Sequence, residues 1–203
     1  MYVSADEVRL FSRLNYDDLG YEADSEFNAY IATLIPLAQG LVDQFCHVPK
    51  NFFEDNGCTE TDGVYDYRET WIHLKYHPVL SVSKVEVNTA AYGSAASWTE
   101  LTATDYIVAK DRALLKIVGD TKPAEMLQSI RVTYTAGYAK TPELIKFVVL
   151  NICSNIMHAM LQRKISPVMR VDDFTIRMII PNAFSRDLQA ALAPFVHQQV
   201  FVG

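Results

Sequence analysis

The chain of 203 residues has three cysteines and eight glycines. It also has no run of about 18 uncharged apolar residues. Each shortage excludes something. Cys46, Cys58 and Cys153 are odd in number and far apart, with no C-x-x-C pair, so neither a disulfide framework nor a zinc ribbon is expected. They read as reduced thiols, with Cys46 and Cys153 buried on helices. So few glycines leave little material for phosphate-cradling loops, and the G-x-x-x-x-G-K-[ST], G-x-G-x-x-G and G-x-S-x-G motifs are absent. The most apolar stretch, 144–161, is interrupted by Lys146, Asn151, Ser154, Asn155 and His158, which predicts no membrane span. The first seven residues lack the basic and apolar regions of a signal peptide, so the expectation is a soluble chain made in a cytoplasm.

What is present is an ordinary globular composition, half hydrophobic and 21% charged, which excludes disorder and is enough for a sizeable core. Charge is unevenly spread. Residues 1–63 carry a formal charge of −9, residues 64–140 +1 and residues 141–203 +2, for a net −6. An acidic first third does not suit nucleic-acid binding, which needs clustered Lys and Arg against phosphate. It is either a solvated face or a surface matched to a basic partner.

The hydrophobic period changes twice along the chain. Ser4-x-x-Glu7 reads as a capping box opening a helix over about 4–14. Phe27, Tyr30, Ile31, Leu34, Ala38, Leu41, Val42 and Phe45 then recur at helical spacing, predicting a helix over about 25–47 with a kink or break at Pro36. After a polar linker over 49–63 the period becomes 2, and about six short strands are expected over 64–140. No helix-length crossover separates them, so the pairing should be antiparallel. Thr141-Pro142-Glu143 opens an apolar, central helix to about Arg163. Extended stretches at 168–171 and 174–180 around Asp172-Asp173, and a last helix from about Ala183, complete the chain. The fold class is α+β: a helical bundle from both chain ends (1–63 and 141–203) with an inserted antiparallel β region (64–140), treated as one domain.

Chemistry-bearing patterns are weak. His73 and His77 would share a metal on a helix, but on a strand they lie about 13 Å apart. His158, on the apolar helix, reads as a hydrogen-bonded core histidine. The pairs Asp17-Asp18 and Asp172-Asp173 are neighbours on loops, unlike the opposed carboxyls of a glycosidase. No catalytic residue, cofactor or metal site is expected. A small enzyme with scattered catalytic residues, or a different virion or regulatory interaction module, stays open beside the reading that follows.

Several segments in a fixed order carry a resemblance. They are the capped first helix, the helix ending Val42-Asp43-Gln44-Phe45-Cys46, Pro78-Val79-x-Ser81-Val82, and Trp98-x-x-Leu101-x-x-x-Asp105-Tyr106. Ile130-Arg131-Val132-Thr133-Tyr134-Thr135-Ala136-Gly137-Tyr138 with Pro142 and a helix, and the closing Leu192-Ala193-Pro194-Phe195, extend it over most of the chain. In this order the chain resembles the tailed-phage head-tail connector, or head-completion adaptor, family. The resemblance implies a non-enzymatic virion protein at the head-tail junction, made in the host cytoplasm. Its partners would be the portal protein, neighbouring subunits in a ring that is dodecameric in the virion, and a tail or stopper protein. DNA would pass through without sequence-specific binding, and no membrane is implied. Asp17, Asp18, Glu22 and Asp24 are the candidate protein-interface residues, since a closed ring needs complementary faces on each subunit.

Overall fold

The computed structural model describes residues 1–66, 71–91, 93–123, 128–165 and 184–197. The expected extended stretches at 168–171 and 174–180, with Asp172-Asp173, lie outside these residues. The contacts divide the chain into two compact units, Met1–Asn51 with Thr141–Gly203, and Phe52–Lys140. The second unit begins at Phe52, ahead of the period change read at Gly63.

In the first unit, α1 (Ala5–Ser12) is closed by the capping box read from sequence: the Glu7 amide donates to Ser4 Oγ and the Ser4 amide to the Glu7 carboxylate. Arg13 ends it in the left-handed region at φ 58°. A one-turn helix, α2 (Tyr16–Leu19), occupies what sequence alone suggested was a loop. Helix α3 (Asp24–Phe45) buries Phe27, Ile31, Leu34, Ile35, Ala38 and Val42. It is unbroken at Pro36. Pro36 and Ala32, whose carbonyl loses its donor, both sit on the exposed side, where water can replace the lost bond. Helix α4 (Glu143–Ile165) buries Ile145, Val148, Val149, Ile152, Cys153, Ile156 and Met157, and both α1 and α3 pack on it. By length and hydropathy alone Glu143–Gln162 would suit a membrane span. This packing gives its apolar character another use. His158 is exposed, not in the core: six residues on, it lies about 120° round α4 from Ile152. Helix α5 (Arg186–Leu192) starts on a Ser185 cap and buries Leu188 and Leu192.

The second unit holds two antiparallel sheets where one was expected. The first has strand order β1 (Cys58–Tyr65), β7 (Ile130–Ala136), β3 (Val79–Asn88), β4 (Trp98–Glu100). The second has β2 (Ile72–His73), β6 (Leu114–Ile117), β5 (Tyr106–Ala109). Strand β7 alternates as its sequence does, with Ile130, Val132, Tyr134 and Ala136 buried. Strand β1 begins inside the stretch read as a polar linker and runs two residues past its end. Its pairing with β7 shifts register between Glu60 and Gly63, and such an irregular, polar edge strand leaves little period-2 signal. Phe52 and Phe53 are fully buried and meet edge-to-face, and Tyr138 stacks on Phe53 with ring centres 5.8 Å apart. Gly57 is required here: a Cβ would lie 2.1 Å from the Ala136 carbonyl oxygen.

Candidate interaction surface

The four acidic residues singled out from sequence are all exposed, on the turn of chain that links α1 to α3. That turn is held from several sides. Leu14 is buried beneath it, and the Asn15 amide donates to the Asp18 carboxylate at 2.7 Å, reproducing the capping box on α2. Gly20 closes α2 at φ 81°, a conformation that costs glycine little. Tyr21 then packs its ring against Phe27 and Tyr30, with centres 5.9 and 5.6 Å away. Burial, and secondarily the Glu26 carboxylate, raise the Tyr21 hydroxyl above its ordinary pKa.

Within this frame the acids divide by role. Asp24 pairs with Arg9 at 2.9 Å, and the same guanidinium donates to Asn28 Oδ1 and lies over the Phe27 ring. Half-exposed pairs of this kind contribute little to stability but fix geometry. Asp18 is a cap. Asp17 and Glu22 project from the same turn, and Glu26 accepts the Glu22 amide at 3.2 Å. No Lys or Arg lies between Asn15 and Asn28, so the turn presents one sign of charge. Sequence reasoning missed Arg9 and Tyr21, which shape it. Their signal was available, since both fall at helical or turn positions beside Phe27.

The second feature is apolar and was not read from sequence at all. Leu10 is 82% exposed, and Phe11, Leu144 and Phe147 are each exposed by more than a third. Phe11 and Phe147 meet edge-to-face across α1 and α4 at 6.0 Å. Beside Leu10 lies an open groove of about 410 Å³ lined by Asp6, Arg9, Leu10, Arg13, Leu14 and Asn15. Further along α4 the exposed side carries Asn155, His158 and Gln162, with no charge between Lys146 and Arg163. Depletion of charge is a mark of interface cores.

Cys46 and Cys153 are fully buried free thiols, as expected, and burial pushes both up to about 12, far from a reactive thiolate. His73 and His77 are exposed at the start of the second sheet and before Pro78. Among the described residues no group of three or more His, Cys, Asp or Glu could hold a metal ion.

No family model and no curated protein matches the sequence. Solved structures do match by fold. A chain in the neck of an empty gene transfer agent (GTA) particle, computed with C6 symmetry, is similar over 100% of this chain and 93% of its own length, at a TM-score of 0.57 and 14% identity. A chain in the virion of a native GTA particle covers 88% of this chain and 87% of its own at TM-score 0.49 and 16% identity. A chain in the native neck computed with C12 symmetry covers 100% and 96% at TM-score 0.49 and 12% identity. At such identities the likeness is one of fold. The α+β fold is that of a neck chain from a phage-like particle, in line with the connector resemblance carried by the sequence motifs.

Proposed function

We propose that this chain is a structural virion protein of the head-tail junction, a connector that forms or joins a ring of copies beneath the portal. In that role it extends the DNA channel and presents a docking surface to a tail or stopper protein. The observation that carries the reading is the end-to-end fold likeness to a GTA neck chain, 100% of one chain on 93% of the other. Partial likeness of one unit would have been compatible with any number of roles. A match running through both units is harder to obtain without a shared architecture.

Three features support the finer reading. The helical unit drawn from both chain ends and the β unit of Phe52–Lys140 offer two chemically different parts from which a closed ring could draw its non-identical contacts. The turn carrying Asp17, Asp18, Glu22 and Asp24 is preorganised and of one sign, which suits a basic surface on a neighbouring subunit or the portal. An acidic chain also lets DNA pass without holding phosphate. The dodecameric ring in the virion belongs to this proposal, as do the portal and tail-side partners and synthesis in the host cytoplasm. The reading assigns no catalytic step, cofactor or metal to the chain.

Electron microscopy of portal-containing, tailless capsids mixed with the purified protein tests it. The expected result is a new ring of density below the portal. Capsids unchanged at saturating protein would end the connector reading.

A further inference from the structure

Helix α1 carries an outward stripe with an unusual order. Asp6, Leu10 and Arg13 follow one another along it, an acid, an apolar residue and a base. All three are exposed and line the same open groove. The Asp6 and Arg13 side chains have no ion-pair or hydrogen-bond partner among the described residues. Leu10, 82% exposed, is the most exposed of the large apolar side chains among the described residues. The outward face of a solvated amphipathic helix is ordinarily charged or polar, and a leucine there leaves apolar surface in water that a partner could cover.

We propose that this stripe is a self-complementary docking surface, whose occupant is the α1 helix of a second copy of the chain packed antiparallel across a two-fold axis. The spacing is what commits the surface to a second copy. Asp6 and Arg13 are seven residues apart, about 10 Å along a helix axis, and Leu10 lies within half a residue of their midpoint. A two-fold axis at Leu10 therefore sets Asp6 of each copy against Arg13 of the other in a single step. The same rotation sets the two exposed Leu10 side chains against each other at the axis, with the groove beside each of them facing its counterpart. A partner of one charge sign would match one end of the stripe and repel the other.

The contact is small. One short helix per copy falls well below the roughly 800 Å² per partner of a standard interface, so the dimer is weak and forms only at high protein concentration. It stands apart from the connector reading, because a two-fold contact cannot close a ring. It is a state of the free subunit.

The test uses sedimentation velocity of the full chain over a concentration series, with thermal melting to show that each variant is folded. Wild type is expected to dimerise reversibly and less tightly as salt rises. Asp6→Lys and Arg13→Glu should each weaken dimerisation at least tenfold, since each places two like-charged pairs across the axis. An equimolar mixture of the two variants should recover wild-type affinity, because the hetero-pair restores opposite charges at both ends. Leu10→Ser, at a site 82% exposed, should abolish association alone and in mixtures. A wild type that stays monomeric to 1 mM, single variants that dimerise as well as wild type, or a mixture no tighter than its parts would each overturn the proposal. Loss of capsid binding by the Leu10→Ser variant with dimerisation unchanged would overturn it too, and would assign the stripe to a capsid protein. Failure of wild type to bind capsids bears on the connector reading alone.

Discussion

Two residues fasten the start of α1: Ser4 and Glu7 form a capping box, whose fixed spacing and local hydrogen bonds also make it readable in the sequence. The carboxylate of Glu7 is held below the usual range, chiefly because the Ser4 amide donates to it, with burial opposing. A carboxyl depressed in the folded state contributes stability above its unfolded value of about 4.5 and loses it as pH falls through the lower folded value. The melting temperature should therefore drop between about pH 5 and pH 3, and Glu7→Gln should flatten part of that drop. Paired melting curves of the two proteins decide it, and identical slopes would show that the box is not linked to folding. By contrast, Asp43 was not legible as a polar core residue. It sits on the apolar side of α3, only 4% exposed, where its carboxyl oxygens accept from the Tyr2 hydroxyl and the Asn51 amide. Those partners are 41 and 8 residues away, so no local pattern announces them. Burial without them would be costly, which is why such groups occur already paired.

At the scale of elements, strong periodicity was enough and weak periodicity was not. Helices α3 and α4 fall close to their expected bounds, and strand β7 keeps a strict alternation, because each buries a long, regular set of apolar residues. Strand β1 was lost in a polar edge segment, and α2 was lost because one turn is too short to show a period, although Asn15-x-x-Asp18 was there to be read as a cap. His158 was misplaced for a different reason. Counting apolar residues along α4 suggested burial all round, whereas projecting them at 100° per residue separates Ile152 and Ile156 from Leu144, Phe147 and His158. That projection sharpens the prediction for the helix. Ile152→Asp places an unpaired carboxylate at a fully buried site between α4 and its neighbours, at a cost of several kcal/mol against a total of about 5–15. The variant should be largely unfolded or melt many degrees lower. Phe147→Ser, at a site 49% exposed, should shift melting by only a few degrees. Equal effects at both positions, measured by circular dichroism, would mean that α4 has no distinct inner face. The candidate surface was half legible: the run of acids shows in the sequence, but the exposure of Leu10, Phe11 and Phe147 follows from how α1 lies on α4.

For the whole molecule the open question is what the acidic turn does in an assembly, and charge can be removed there without dismantling the turn. Asp18→Asn keeps an amide oxygen for the Asn15 N–H, and Asp24→Asn keeps an acceptor for Arg9. Asp17→Asn and Glu22→Gln remove charge at exposed positions and keep an oxygen acceptor at each. The fourfold variant should therefore fold, with a small loss from the Arg9 pair that melting will measure. If the turn meets a basic surface on the portal or on a neighbouring subunit, its charges act mainly by steering encounter, over a Debye length of about 8–10 Å at 0.10–0.15 M salt. Wild type should then bind portal-containing capsids several-fold faster at low salt than at 0.5 M, while the fourfold variant binds slowly and almost independently of salt. Dissociation rates should differ much less, because exposed rim charges contribute little once apolar contacts have formed. Stopped-flow or surface-based kinetics over a salt series separates the two rates. Equal association rates and equal salt slopes for the two proteins would make residues 17–24 a solvated face and move the search for the portal-binding surface to the uncharged side of α4.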